Sequence, residues 1–81
     1  MKIAVVGLGI IGGSMAMAIK KYTQHYVIGI NRTRKTLEKA LECGAIDEIG
    51  DEDSIQDADL IILGLYPALA VEFIKRNCDK I

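Results

Sequence analysis

The segment Gly7-Leu8-Gly9-Ile10-Ile11-Gly12 constrains this chain more than any other. It follows Lys2 to Val6, an apolar run rich in β-branched residues that reads as a buried strand. Beyond it, Met15, Ala18, Ile19 and Tyr22 recur at helical spacing, with Lys20 and Lys21 on the wet side. That spacing predicts a helix of about three turns. Tyr26 to Ile30 then predicts a second strand. A glycine turn of this spacing inside a βαβ unit of about 30 residues is the mark of a dinucleotide-binding unit. The roles of the glycines are separate. Gly7 permits the sharp turn, Gly9 leaves the backbone bare for a pyrophosphate, and Gly12 lets the helix pack closely on the strands. Free N–H groups near Ile10 and Ile11 point at the anion, and the helix dipole favours its charge. The alternative is a glycine turn that only packs tightly.

The rest of the chain keeps alternating. Thr33 to Glu42 predicts a second helix with Leu37, Ala40 and Leu41 inward and Gly44 placed to end it. Ala45 to Ile49 reads as a short third strand, and Ser54 to Ala58 as a single helical turn. Leu60 to Leu63 is a run of aliphatics expected of a strand covered on both faces. Pro67 sits well for the first turn of a last helix, in which Ala70, Phe73, Ile74 and Asn77 share a face. Lys75 and Arg76 complement the C-terminal dipole of that helix. Strands alternating with helices imply an α/β fold, a parallel sheet with right-handed crossovers.

The end of the second strand bears on the choice of ligand. An NAD-binding unit places Asp or Glu there, to hydrogen-bond the ribose 2′-OH. This chain reads Asn31-Arg32-Thr33-Arg34. Asn31 does not repel a 2′-phosphate, Arg32 suits one, and Thr33 and Arg34 add a hydroxyl and a second charge. NADP is therefore expected over NAD, an ordinary Thr cap with two solvated arginines being the alternative. The end of the fourth strand offers Gly64, Leu65 and Tyr66. Ligands of open α/β sheets sit outside the carboxyl ends of strands, so Gly64 and Leu65 are expected to line the nucleotide crevice. Tyr66 is either a crevice wall or a partly exposed aromatic, and a role as proton donor has little behind it.

Composition narrows the classes further. With 81 residues the chain forms one domain at most. A net charge of -1 argues against nucleic acid, and no apolar run approaches a membrane span. The four early glycines speak against a signal peptide. Cys43 and Cys78 lack CxxC spacing and read as two free, partly buried thiols rather than a disulfide, which points to the cytoplasm. His25, the only histidine, reads as a solvent-facing loop residue. Asp47 to Asp53 carries five acidic residues, read as solvated rather than metal-binding.

Several stretches resemble the opening of the prephenate and arogenate dehydrogenases. They are Gly7 through Ala18 with the doubled glycine and Ser14, Val27 through Arg32, Lys39 through Glu48, and Ala58 through Leu63. The resemblance spans nearly the whole chain. It implies a Rossmann-type sheet with helices on both faces and four strands in the order 3-2-1-4. It also implies oxidative decarboxylation of a cyclohexadienol acid, with hydride passed to a nicotinamide. Members of that family carry a catalytic His and a helical substrate-binding and dimerisation domain further along. Nothing here matches those parts, and His25 precedes the second strand, the wrong place for that role. The expectation is a truncated cofactor domain at residues 1–81, with no catalytic residue, of an enzyme that is a homodimer at full length. Other NADP-dependent reductases, such as pyrroline-carboxylate reductase or hydroxyacid dehydrogenase, and a non-catalytic NADP-binding module are the alternatives. Leu60 to Leu63 at a sheet edge is expected to make the isolated chain self-associate or only marginally stable.

Overall fold

The computed structural model describes all 81 residues. Strand β1 is Lys2–Val6, helix α1 Ile10–Tyr22, strand β2 Tyr26–Ile30 and helix α2 Arg34–Glu42. Strand β3 is Glu48–Ile49, followed by a 3₁₀ turn at Glu52–Asp57, strand β4 at Leu60–Leu63 and helix α3 at Pro67–Asn77. The four strands form one parallel sheet in the order β3-β2-β1-β4, as the resemblance implies. Ala4 stands opposite Ile28 on one side and Ile61 on the other.

Alternation along the central strands divides the core in two. Ile3, Val5 and Val27 face Leu8, Ala16, Leu37 and Ile46. Ala4, Val6, Ile28 and Ile30 face Ile55 and Phe73. Side chains of period two thus serve two layers, with α1 and α2 beneath one and the 3₁₀ turn and α3 beneath the other. This is why β1 and β2 read as continuous apolar runs. It also brings the carboxyl ends of β1, β2 and β4 to one edge of the molecule.

Several elements differ from the expectation, each for a local reason. In α1 the buried stripe is Gly12 and Ala16, with Ile19 packed beside it, while Met15, Ala18 and Tyr22 are exposed. Small residues bring the helix axis close to the sheet, and larger side chains have no room there. Leu41 in α2 and Ile74 in α3 are exposed too. The third strand shrinks to Glu48–Ile49 because the Ala45 N–H donates to the Ala40 carbonyl and closes α2 instead. Both cysteines are exposed thiols rather than partly buried ones. His25 is half-buried, with Nδ1 2.9 Å from the Met1 amino group, and not simply a solvent-facing residue. β4 is the edge strand, and its side chains are half-buried or exposed rather than covered on both faces.

The acidic stretch is distributed among separate duties. Asp47 accepts from the Val27 N–H at 2.8 Å and pairs with Lys20 at 2.7 Å. Burial works to raise its carboxyl, but the Lys20 and Val27 hydrogen bonds outweigh that and hold it below its usual range. Glu48 accepts from the Tyr26 hydroxyl. Asp51 caps the 3₁₀ turn, accepting from the Asp53 and Ser54 N–H groups while its own N–H donates to Ser54 Oγ. Glu52 pairs with Arg76, and Asp53 pairs with Lys80. Around these last two pairs lies Asn77, fully buried, donating to the Phe73 carbonyl and accepting from Lys80. Together they fasten the C-terminal half of α3 to the 3₁₀ turn.

Candidate functional site

The glycine turn is built by mutual exclusion of side chains. Gly7 has φ +88°, a left-handed conformation that other residues resist. A Cβ on Gly12 would overlap the Gly7 carbonyl oxygen, and one on Gly64 would lie 2.8 Å from the same atom. Gly7, Gly12 and Gly64 therefore let the β1 turn, the start of α1 and the end of β4 meet at backbone distance. Gly9 is different, since a Cβ there would meet nothing within 4 Å. Its bare backbone faces open space, which suits an approaching ligand. Gly9 is also the N-cap of α1, without a side-chain cap, and Ile10 and Ile11 beside it are strongly exposed. The first-turn N–H groups have no partner within their helix and stand ready for an anion.

Asn31 joins this turn to the end of β2. Its Oδ1 accepts a hydrogen bond from the Leu8 N–H at 3.0 Å. The Gly7 N–H donates to the Ile30 carbonyl at 2.7 Å, and the Gly64 N–H to the Val6 carbonyl at 2.7 Å. Both bonds extend the parallel ladders beyond the strands. The ends of β1, β2 and β4 are thereby held as one rigid edge.

Two open grooves share that edge and meet at Gly7, Asn31, Leu65 and Leu69. One, of about 740 Å³, runs over Gly9, Ile10, Ile11, Gly64 and Tyr66. The other, of about 510 Å³, lies between Arg32 and α3, with Phe73 in its wall. Both sizes fall in the range of small-molecule sites. The first suits a pyrophosphate against the helix start, the second a flat base and its sugar against an apolar wall. A dinucleotide is long enough to need both. Tyr66 is exposed in the groove wall and bonds to no catalytic partner.

The sequence-predicted residues are largely brought together. Gly7, Gly9, Ile10, Ile11, Asn31, Arg32, Gly64, Leu65 and Tyr66 line one groove or the other. Gly12 stands behind Gly7 and shapes the turn from within. Thr33 and Arg34 line neither groove. Thr33 is the N-cap of α2 without a side-chain cap bond, and Arg34 pairs with Glu38 at 3.6 Å on the exposed side of that helix. Sequence reasoning missed the face of α3 made by Leu69, Glu72, Phe73 and Arg76. These positions are spaced by three and four residues, so the helical repeat carried the signal, masked by the more apolar residues beside them.

The geometry agrees with comparison to known proteins. Residues 2–77 match the family model described as the NAD binding domain of 6-phosphogluconate dehydrogenase. The chain is 35% identical over 77 residues to a prephenate dehydrogenase of Lactococcus lactis, covering 93% of this chain and 22% of that protein. It superposes on the arogenate dehydrogenase of Synechocystis with a TM-score of 0.91 at 38% identity, covering 99% of this chain and 29% of that one. A prephenate dehydrogenase from A. aeolicus, solved with hydroxyphenyl propionate and NAD+, gives a TM-score of 0.89 at 22% identity over 30% of its length. The chain thus spans less than a third of the length of these relatives, which bear out the resemblance read from its motifs. It has the fold and the glycine turn of a nicotinamide-dinucleotide-binding domain, and it belongs to the family of the NAD binding domain of 6-phosphogluconate dehydrogenase.

Proposed function

We propose that this chain binds NADP in preference to NAD and serves as the cofactor-binding part of a prephenate or arogenate dehydrogenase. The observation that carries the cofactor choice is the end of β2. No carboxylate stands there to receive a ribose 2′-OH. Asn31 has its oxygen engaged by the Leu8 N–H, which turns its amide NH₂ outward as a donor. Arg32 lines the groove, is exposed, and pairs with no carboxylate of the chain. A free guanidinium beside an amide donor complements a phosphate better than a hydroxyl.

The activity rests on likeness to the Lactococcus and Synechocystis enzymes. The resemblance implies an oxidative decarboxylation, for which a bound nicotinamide would supply the hydride acceptor. The residues described here hold and orient the dinucleotide. Substrate contacts, proton handling and dimer formation fall, in this reading, to parts of the enzyme beyond this domain.

Titrating NADP and NAD against the protein by calorimetry tests the cofactor choice. NADP is expected to bind at least about tenfold more tightly, the value of one charged hydrogen bond. Equal or tighter binding of NAD would sink it. For the activity, the natural full-length protein is assayed for NADPH formation with prephenate and with arogenate. Failure with both substrates removes the dehydrogenase assignment and leaves the cofactor site standing.

A further inference from the structure

Three carboxylates line the groove between Arg32 and α3, and two of them are already used. Asp51 caps the 3₁₀ turn. Glu52 is held by Arg76 Nε and Nη2 and by the Asn77 amide. Glu72 alone has no hydrogen bond and no ion pair, and it stands one helical turn before Arg76 on the groove side of α3. Arg76 is fixed from two directions, by Glu52 and by the Phe73 ring 5.9 Å beneath its guanidinium. Its Nη1 remains free to donate. An unpaired acceptor therefore sits beside an oriented donor, next to the apolar wall that Leu65 and the exposed Leu69 present.

That pairing has the complement of one edge of adenine. Adenine presents an exocyclic amine, which donates, next to a ring nitrogen, which accepts. Hypoxanthine presents a carbonyl in place of the amine. With the base laid on the apolar wall, a carbonyl would face the Glu72 carboxylate lone pair to lone pair. We propose that Glu72, with Arg76 oriented by Glu52, reads the amino edge of the dinucleotide's purine and selects adenine over 6-oxopurines. The proposal rests on the reading of this groove as the base end of a dinucleotide site. It does not depend on whether the ribose carries a 2′-phosphate.

The test is a set of calorimetric titrations of the 81-residue chain with NAD, NADP, and the hypoxanthine counterparts of both. The wild-type chain is expected to bind each adenine form roughly five- to thirtyfold more tightly than its hypoxanthine counterpart, the range of a hydrogen bond to a charged group. Glu72→Gln, whose amide both donates and accepts, is expected to bring that ratio close to one. Glu72→Ala is expected to lower the affinity for the adenine forms and to raise that for the hypoxanthine forms, from which it removes a repulsion. Glu72 is exposed and unbonded, so both variants should keep the wild-type melting curve. Equal binding of adenine and hypoxanthine forms by the wild type overturns the proposal. So does a Glu72→Gln variant that weakens both bases equally, because that pattern belongs to a sugar contact. The 2′-phosphate reading fails on a different ratio, NADP against NAD, so the two failures are distinguishable.

Discussion

The side-chain oxygen of Asn31 accepts the backbone N–H of Leu8 at 3.0 Å, which couples the end of β2 to the glycine turn. One residue therefore braces the glycine turn and lines the groove beside it, where the proposed reading puts the ribose. Asn31→Asp keeps an acceptor for Leu8 and adds a negative charge toward the sugar. Its melting temperature is expected to stay near wild type, while NADP binding weakens and NAD binding holds or improves. Asn31→Leu removes the acceptor and is expected to cost about 0.5–1.5 kcal/mol of stability, the net worth of a part-buried hydrogen bond. Thermal melts of both variants with paired nucleotide titrations check this, and an Asn31→Asp chain with unchanged cofactor ratio would count against it.

Two glycines of the same turn are expected to fail in different ways. A Cβ at Gly12 collides with the Gly7 carbonyl, so Gly12→Ala should destabilise the fold by at least about 1–3 kcal/mol, as overpacking does. A Cβ at Gly9 meets only open space. Gly9→Ala should therefore melt like wild type and yet lose dinucleotide affinity by about tenfold or more, since the methyl occupies the approach of the pyrophosphate. If Gly9→Ala binds as well as wild type, the ligand does not cross that backbone.

Arg32→Ala should weaken NADP by roughly 1.5–3 kcal/mol and leave NAD nearly unchanged, because only the former offers a charged acceptor. Arg34 pairs with Glu38 away from the groove, so Arg34→Ala is expected to matter much less. Side-by-side titrations of the two variants rank the two arginines.

Acid should loosen this fold through identifiable carboxylates. Arg76, against partial burial, holds Glu52 below the usual range, and Lys20 and Val27 do the same for Asp47. A carboxyl whose folded pKa is depressed adds stability above its unfolded pKa, near 4, and that contribution is lost as pH falls through the folded value. Glu52→Gln and Asp47→Asn are expected to lower the melting temperature at neutral pH and to flatten its fall below about pH 4. Melts from pH 7 to pH 2 on the three proteins measure it. Identical acid profiles would remove these two groups from the explanation.

β4 pairs with β1 on one side only, and its four residues are aliphatic. An uncharged open edge of this kind favours association. Sedimentation of the 81-residue chain is expected to show a mass that rises with concentration. A monodisperse monomer across a hundredfold dilution range would show the edge to be protected.

Fold and turn were legible because each rests on local chemistry. The strands announce themselves as aliphatic runs, and the glycine turn by its spacing. Asn31 and Arg32 were found because their place follows from counting along a βαβ unit. The buried stripe of α1 was not legible. Apolarity pointed to Met15 and Tyr22, whereas distance to the sheet selects Gly12 and Ala16 by size. The α3 wall of the groove was missed for a related reason. Arg76 reads as a partner of its own helix dipole until the 3₁₀ turn supplies Glu52 from 24 residues away, and nothing in the sequence singles out Glu72. The acidic run from Asp47 to Asp53 hid five different sets of partners, four of them set by tertiary structure and only that of Asp51 by its neighbours.

The groove draws its walls from residues as far apart as Gly7 and Arg76, with Asn31 and Asp51 between them. A ligand lying there bridges segments that are joined only through the rest of the fold. By mass action, such a ligand shifts the folding equilibrium itself, by about 2.7 kcal/mol when present at a hundred times its dissociation constant. In a cell, the nucleotide pool would then set not only how often this domain is occupied but how much of it exists in the folded form.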